Sequence, residues 1–440
     1  MLLKYFRRIA IIIYGVLTLI ILCQISAFAS KQTFAYIMLS NGKVLQYRVD
    51  TEGKFYPLKP EIYQLNVKAE DMMYSPNMVI DHRGRYAYFS GFSWIYMCKI
   101  NNDGSLGTLS ETKAGSSSDM TFNKSGRFFY VANYSTTGKN ISQFSVKDDG
   151  TLNPIDPPIV RGLNDLSSFH LATHPIKPYL YVFVATPGIV ENNPMILQYK
   201  INSNGKLSRL KPFSVPANCS PGKMVFSSDG KWVYISSGNS MYLSYFKVSE
   251  QGQLEHKGNI SYNGYQRGPD FGYGQLFNGA NIVMSSSNKN LFVTDNEWSG
   301  LFKFNVNADK KVVFDDSYWV ENNRLLSDSD LQRKVRSQIT KNKSTSEDTT
   351  NDTIAISNAY HEKFISLTSS KLVTESYDGT FYGFGSFGII RFGVDADGSI
   401  IPKDPAFSFT KGRWLAIAKN NDTEGYDVAY PVKFLIVTQK

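Results

Sequence analysis

The sequence predicts an all-β protein, a seven-bladed β-propeller of four-stranded antiparallel blades. The first observation behind this prediction is a repeated heptad, an aliphatic residue at each end of a polar stretch with glycine, as in VKDDGTL at 146–152. Seven copies start at Val49, Ile100, Val146, Ile201, Val248, Val306 and Val394, with Lys310 in the glycine position of the copy at Val306. In all but the second copy, which has Cys98, an aromatic residue stands two positions earlier, so each copy ends a strand with one buried face.

The second observation is a turn followed by an alternating aromatic strand, as in SSDGKWVYI at 227–235. Copies of this phrase precede the heptads along the chain. Together the two phrases give a unit of strand a, tight turn, strand b, loop, strand c, tight turn and strand d. Repeated units of this kind are the blades of a propeller. A β-sandwich is the alternative, but sandwiches do not repeat one sequence phrase for every four strands.

The blade boundaries follow from the phrases. We predict blades at 33–67, 77–110, 119–155, 169–210, 223–257, 281–316 and 371–403. The first unit lacks strand a, so a C-terminal strand, either WLAIA or KFLIVT, should complete the first blade and remove two open sheet edges. The remaining segment, 317–368, is an insertion that we predict to be partly helical, after a cap at Ser329, and partly disordered.

The first 29 residues have the features of a signal peptide. Arg7 and Arg8 precede an apolar run, and Ala27-Phe28-Ala29 offers small residues for cleavage before Ser30. An uncleaved anchor is the alternative, but the run is shorter than the roughly 20 apolar residues that cross a bilayer. We therefore expect 30–440 to be a secreted or periplasmic protein with no stable membrane span after cleavage.

Charge and cysteine content exclude other classes. The net charge of +9 falls to +6 without the three cations of the leader, and no basic cluster outside it suggests nucleic acid. After cleavage only Cys98 and Cys219 remain, too few for a disulfide framework or a metal site. We expect both thiols to stay unpaired, and we predict no cofactor and no metal.

Candidate ligand-binding residues stand at the start of the predicted strands a. The first position is polar in each aligned segment: Asn77, Asp119, His170, Lys223 and Asn281. These side chains should ring the mouth of the central channel and bind a ligand, although polar strand ends that merely solvate the backbone would look the same. The d–a connections vary in length, which is typical of a binding face. One of them, 263–279, carries Arg267 and Asp270 among aromatic residues as contacts for a sugar or a protein, or is merely a flexible loop.

The phrases SSDGKWVYI and VDADGSI resemble those of the 6-phosphogluconolactonase-type, or lactonase, seven-bladed propellers, over nearly the whole mature chain. FHLATHPIKPYLYV at 169–182 also resembles a His-x-x-x-His-Pro strand of that family. The resemblance implies lactone hydrolysis, with His170 activating water, Lys223 holding the oxyanion and Asp119 beside them. A calcium site of Asp119, Asn77 and Asn281 is a weaker implication, because a hard cation prefers more carboxylates.

Two functions from different classes follow. The first is an exported propeller that binds a small-molecule or protein ligand on the face with the long d–a loops. The alternative is a lactone hydrolase acting at the channel mouth. The sequence favours the first, since a phosphorylated sugar lactone belongs to the cytosol and this chain carries an export signal.

Overall fold

The computed structural model describes residues 32–65, 77–115, 117–135, 137, 139–186, 194–219, 222–236, 242–261, 281–294, 301–309, 311–321, 324–327, 373–375, 379–385, 388–396, 398–408 and 431–439. Every regular element in these stretches is a β-strand. The predicted signal peptide, the loop 263–279 and 328–368 of the predicted insertion fall outside them. Nowhere in the described chain is there a helix long and apolar enough to cross a membrane.

The strands form seven antiparallel sheets, the blades of a ring. Blades one to three contain β1 (Thr33–Leu39), β2 (Lys43–Val49), β3 (Phe55–Gln64), β4 (Met78–Ile80), β5 (Tyr86–Ser90), β6 (Trp94–Ile100), β7 (Leu106–Lys113), β8 (Ser117–Phe122), β9 (Phe128–Asn133), β10 (Ile141–Val146) and β11 (Leu152–Val160). Blades four and five contain β12 (Ser167–Thr173), β13 (Tyr179–Ala185), β14 (Met195–Ile201), β15 (Leu207–Pro216), β16 (Met224–Phe226), β17 (Trp232–Ser236), β18 (Tyr242–Val248) and β19 (Leu254–Ser261). Blades six and seven and the closing strand contain β20 (Ile282–Met284), β21 (Asn290–Thr294), β22 (Leu301–Val306), β23 (Val312–Glu321), β24 (Arg324–Ser327), β25 (Val373–Glu375), β26 (Phe381–Gly385), β27 (Gly388–Val394), β28 (Ile400–Ser408) and β29 (Pro431–Thr438). The predicted fold class is confirmed.

The last strand closes the ring. β29 pairs antiparallel with β1, from Thr33 opposite Thr438 to Met38 opposite Lys433, and becomes the inner strand of the first blade. KFLIVT is therefore the closing segment, whereas WLAIA lies outside the described residues. Because β29 covers the inner edge of β1, the first blade has the same four strands as its neighbours.

The core lies between the faces of neighbouring blades. The residues that precede the heptads are all buried: Tyr47, Cys98, Phe144, Tyr199, Phe246, Phe304 and Phe392. One cluster joins Phe34 of the first blade to Phe89 of the second, and other clusters repeat this arrangement around the ring. The blades are thus held together by apolar burial between sheets, which carries most of the folding free energy.

Hydrogen bonds explain why the heptad recurs. A tyrosine of strand b donates from Oη to the carbonyl oxygen of the hairpin glycine in the next blade, at 2.6–2.8 Å: Tyr36 to Gly104, Tyr88 to Gly150, Tyr130 to Gly205 and Tyr181 to Gly252. The glycine is required on two grounds. Its φ is positive, 84° at Gly104, and a Cβ there would lie 2.2 Å from the ring of Phe34. Each of these four hairpins therefore makes a specific contact with the preceding blade.

A buried glutamine forms a second connection between blades. Its Nε2 donates to a proline carbonyl in the outer strand of its own blade, and its Oε1 accepts from a leucine N–H at the start of the next outer strand. The three cases are Gln46 with Pro60 and Leu106, Gln143 with Pro157 and Leu207, and Gln198 with Pro212 and Leu254. Met97 takes this position in the second blade, opposite Tyr88. Lys303 takes it in the sixth, with Nζ 2.6 Å from Asp315 Oδ2.

The sixth blade differs from the prediction. It has a fifth strand, β24, which pairs with β23 from Tyr318 opposite Ser327 to Glu321 opposite Arg324. Residues 317–321 and 324–327, predicted to belong to an insertion, are therefore part of a sheet. The aromatic and β-branched residues of SYWVE suit a strand, and they extend β23 rather than ending it.

The two described cysteines are unpaired. Cys98 and Cys219 are both buried and carry free thiols. Burial raises the pKa of Cys98 to about 11 and that of Cys219 to about 12. The prediction of two free thiols is confirmed, and both side chains serve as packing groups.

Candidate functional site

The predicted polar residues share one level of the propeller. Each lies at the start of an inner strand and is paired with a residue of the neighbouring strand b. That partner stands two positions after the buried tyrosine or phenylalanine in the middle of strand b. The pairs are Asn77 with Ser90, Asp119 with Ala132, His170 with Phe183, Lys223 with Ser236, Asn281 with Thr294 and Lys433 with Met38. We call Lys433, Asn77, Asp119, His170, Lys223 and Asn281 the polar ring.

Irregular pairing precedes three members of the polar ring. The register between β8 and β9 shifts between Ser117 and Asp119, and that between β12 and β13 shifts between Ser168 and His170. The pairing of β1 with β29 shifts in the same place, just before Lys433. A bulge re-aims the side chain that follows it and is common next to active sites. A backbone irregularity therefore precedes Asp119, His170 and Lys433, three of the four titratable residues of the polar ring.

Asp119 is the hub of the polar ring. Its carboxylate is 4% exposed and accepts from the backbone N–H of Met120 at 2.9 Å and of Leu171 at 3.3 Å. Asn77 Nδ2 donates to Oδ1, and His170 Nδ1 contacts Oδ2. Lys223 Nζ lies 3.8 Å from Oδ2. One side chain of the third blade therefore joins the second, fourth and fifth blades.

Charge keeps Asp119 ionised. Burial alone would raise its pKa, but the ammonium of Lys223, the hydrogen bond from His170 and the ammonium of Lys433 hold the pKa below its usual range. His170 behaves differently. Burial lowers its pKa, and the opposing effect of Asp119 does not restore it. At neutral pH the pair is therefore a carboxylate beside a neutral imidazole.

The orientation of His170 follows from its partner. Because Nδ1 faces a carboxylate, we assign the proton to Nδ1, which leaves the lone pair on Nε2. Within the described part of the chain, Nε2 is buried and has no hydrogen-bond partner. A buried acceptor without a partner is costly, and such groups occur at catalytic positions. An aspartate-oriented imidazole with a free lone pair is the arrangement of a general base.

A cavity of about 410 Å³ lies against this pair. Asp119, His170 and Lys433 line its polar part, and Met224 and Phe226 are among its apolar lining residues. This volume is typical of small-molecule sites. Burial, then the charge of Lys223, lowers the pKa of Lys433 to about 8.

The structure brings together some predicted residues and adds one. Asn77, Asp119, His170 and Lys223 are in mutual contact through Asp119, and Asn281 shares their level. Arg267 and Asp270 lie outside the described residues. Lys433 was missed because two C-terminal segments competed for the closing strand. The sequence did contain a signal for Lys433, because KFLIVT begins with a polar residue, as the other strand a segments do.

The polar ring does not suit a metal ion. Asn77 Oδ1 already accepts from Met78 N at 2.8 Å, and its Nδ2 faces Asp119. Two lysines and a single carboxylate create a field that repels cations. The described residues contain no group of three or more histidine, cysteine, aspartate or glutamate side chains able to hold a metal.

Comparisons with known proteins agree with the fold. Residues 192–325 match the family described as "Lactonase, 7-bladed beta-propeller". A search of curated proteins found no match. Solved structures similar to this chain include a putative 6-phosphogluconolactonase from Bacteroides fragilis and a periplasmic gluconolactonase from Pseudomonas aeruginosa. Each is 14% identical, with a TM-score of 0.61 and coverage of 93% of this chain and 99% of the other. A putative 6-phosphogluconolactonase from Bacteroides uniformis is 15% identical, with a TM-score of 0.59, 92% of this chain and 99% of the other. Identities this low show the fold alone.

Proposed function

We propose, from the premise that this chain has a lactonase-type seven-bladed β-propeller fold, that its channel-mouth site hydrolyses a lactone. The contact between Asp119 and His170 at the edge of the cavity carries this proposal. From the sequence alone a binding protein was favoured. An oriented, neutral imidazole beside a cavity that the ammonium group of Lys433 lines supports hydrolysis instead, because those are the parts that ester cleavage needs.

The proposed reaction uses His170, Asp119 and an ammonium group. His170 Nε2 takes a proton from a water molecule whose oxygen adds to the lactone carbonyl carbon. Asp119 holds the Nδ1 proton and stabilises the imidazolium that forms. An ammonium group balances the negative oxygen of the tetrahedral intermediate. The ring C–O bond then breaks, its oxygen takes the proton from His170, and the product is a hydroxy acid.

The substrate class follows from the predicted compartment. A chain exported by its leader would meet unphosphorylated lactones, because phosphorylated sugars stay in the cytosol. The similarity to a periplasmic gluconolactonase supports this choice. We therefore assign the site to a neutral sugar lactone of the gluconolactone type.

The test is hydrolysis of glucono-δ-lactone by the purified mature chain. The release of acid is measured and compared with the rate in buffer alone. We expect turnover, and we expect His170→Ala to lower kcat/KM by about 10²–10⁴-fold, the usual contribution of a general base. His256→Ala is the matched control, because His256 is an exposed histidine whose Nε2 lies 3.0 Å from Asn259 Oδ1 in the fifth blade. If the protein hydrolyses no lactone of a panel faster than buffer does, the proposal is refuted. Ligand binding on the face with the long d–a loops is then the better hypothesis.

A further inference from the structure

Lys433 is set apart from the other cation of the polar ring by its position. It stands on β29 opposite Met38 and lines the cavity together with Asp119 and His170. Lys223 approaches Asp119 from the fifth blade, 3.8 Å from Oδ2, and is not among the described residues that line this cavity. Of these two lysines, Lys433 is therefore the one that borders the cavity. A ligand in the cavity would meet the side chain of Lys433.

Among the described residues, the charges around Lys433 do not balance. Three charged or titratable side chains interact electrostatically with Lys433 or with one another. They are Asp119 from β8, His170 from β12 and Lys223 ahead of β16. β1 places Met38 opposite it, and β4 follows the uncharged Asn77. On the adjacent β25, Glu375 lies opposite Phe381, further along its strand than the ring level. With His170 neutral, one carboxylate faces two ammonium groups among the side chains that the structure describes.

An excess positive charge at a half-buried site is stabilised by an anion. Removing a cation from water is costly unless a charge of opposite sign accompanies it. A third of the Lys223 side chain is exposed, and its ammonium group lies 3.8 Å from Asp119 Oδ2. The charge without a full counter-ion is thus that of Lys433, and it borders the cavity. Negative oxygen is the chemical group that fits there.

We propose that Lys433 is the residue that holds the negative oxygen of the substrate. It contacts first the oxyanion formed when water adds to the lactone carbonyl, and then the carboxylate of the ring-opened acid. This inference rests on the proposed function, and it moves the oxyanion role that the resemblance implies for Lys223 to the closing strand. Lys223 becomes the fixed counter-ion that keeps Asp119 ionised.

The experiment measures binding of gluconate, the product carboxylate, by calorimetry at pH 6.5 and pH 9.5. Wild-type mature protein should bind at pH 6.5 and lose about 10-fold or more of its affinity at pH 9.5, because the pKa of Lys433 is about 8. Lys433→Gln should bind weakly at both values. Lys433→Arg should bind equally at both, since arginine stays protonated. Lys147→Gln, a change at an exposed hairpin position of the third blade outside the site, is the matched control and should keep the alkaline loss.

Three outcomes would overturn the inference: no gluconate binding by wild type at pH 6.5, wild-type affinity in Lys433→Gln, or an unchanged alkaline loss in Lys433→Arg. The arginine variant guards against a folding artefact, because it must gain binding at pH 9.5 relative to wild type. The two proposals fail separately. The expected gluconate pattern without lactone turnover refutes hydrolysis and supports the anion site, whereas turnover that depends on His170 with normal binding in Lys433→Gln refutes the role of Lys433 alone.

Discussion

Asp119 of the third blade and His170 of the fourth meet through Oδ2 and Nδ1 across the junction between their blades. Neither blade could position this pair alone, because each supplies one partner. The contact is held by backbone as well, since the N–H of Leu171 also points to Asp119 Oδ2. The packing of the third blade against the fourth therefore also sets the orientation of the His170 imidazole.

The pH dependence of turnover should follow His170 and Lys433. Burial lowers the pKa of His170, so the base stays neutral, and active, until the pH falls below its ordinary value of about 6.5. Lys433, with a pKa of about 8, loses its proton on the alkaline side. We expect kcat/KM to fall below pH 6.5 and again above about 8. In Lys433→Arg the alkaline fall should disappear, and an acid limb above pH 6.5 would contradict the assignment.

Asp119→Asn should destabilise the fold and change its response to acid. The substitution leaves two lysines without their anion, and breaking a buried ion pair costs about 3 kcal/mol or more. The pKa of Asp119 is lower in the folded protein than in the unfolded chain. Its stabilisation is thus complete above about pH 4 and lost as the pH falls below that value toward the folded-state pKa.

Urea denaturation at a series of pH values between 3 and 7 measures both effects. The stability of Asp119→Asn should decline less steeply in acid than that of wild type. Asp148→Asn, a change at an exposed hairpin position, is the control. A loss below about 1 kcal/mol at pH 7 would show that the carboxylate is not a structural hub.

Gln198→Met should weaken the junction between the fourth and fifth blades. Methionine occupies the same position in the second blade, so the shape is tolerated there. The substitution removes the bonds from Nε2 to Pro212 O and from Leu254 N to Oε1, and two buried partners without hydrogen bonds cost about 2–4 kcal/mol. The free energy of unfolding in urea measures this loss. Lys200→Ala, at an exposed position of β14, should be nearly neutral, and equal effects of the two changes would refute the explanation.

The thiols of Cys98 and Cys219 should react only after unfolding. Both are buried, and burial raises the pKa of each well above neutral, so the reactive thiolate is scarce in the folded protein. A thiol-specific reagent should label the native mature chain slowly and reveal two thiols in denaturant without reductant. Rapid labelling of native protein would mean that a blade opens locally.

The fold could be predicted from the sequence because the heptad and the turn followed by an aromatic strand recur along the chain. The glycine of VKDDGTL requires a left-handed turn, and the aromatic residue two positions before every heptad but the second requires a buried face. The order of the strands followed from these two features. Five of the six members of the polar ring, all but Lys433, were also predicted, since equal positions in repeated strands lie at equal heights. Its contacts were not, because the sequence does not show that Asp119 alone would link Asn77, His170 and Lys223. The glutamine connections were missed for a similar reason, as only the folded structure shows that a buried amide spans two blades.

The position of Lys433 on the last strand has a consequence for how the protein matures. During synthesis the N-terminal blades emerge first, so Asp119 and His170 are made long before residue 433. Until β29 has paired with β1, the first blade keeps an open edge and the site lacks its cavity-facing ammonium. A truncated polypeptide that ends before this strand therefore lacks both ring closure and the lysine of the proposed anion site. Blade closure and assembly of the proposed site are thus a single late event in folding.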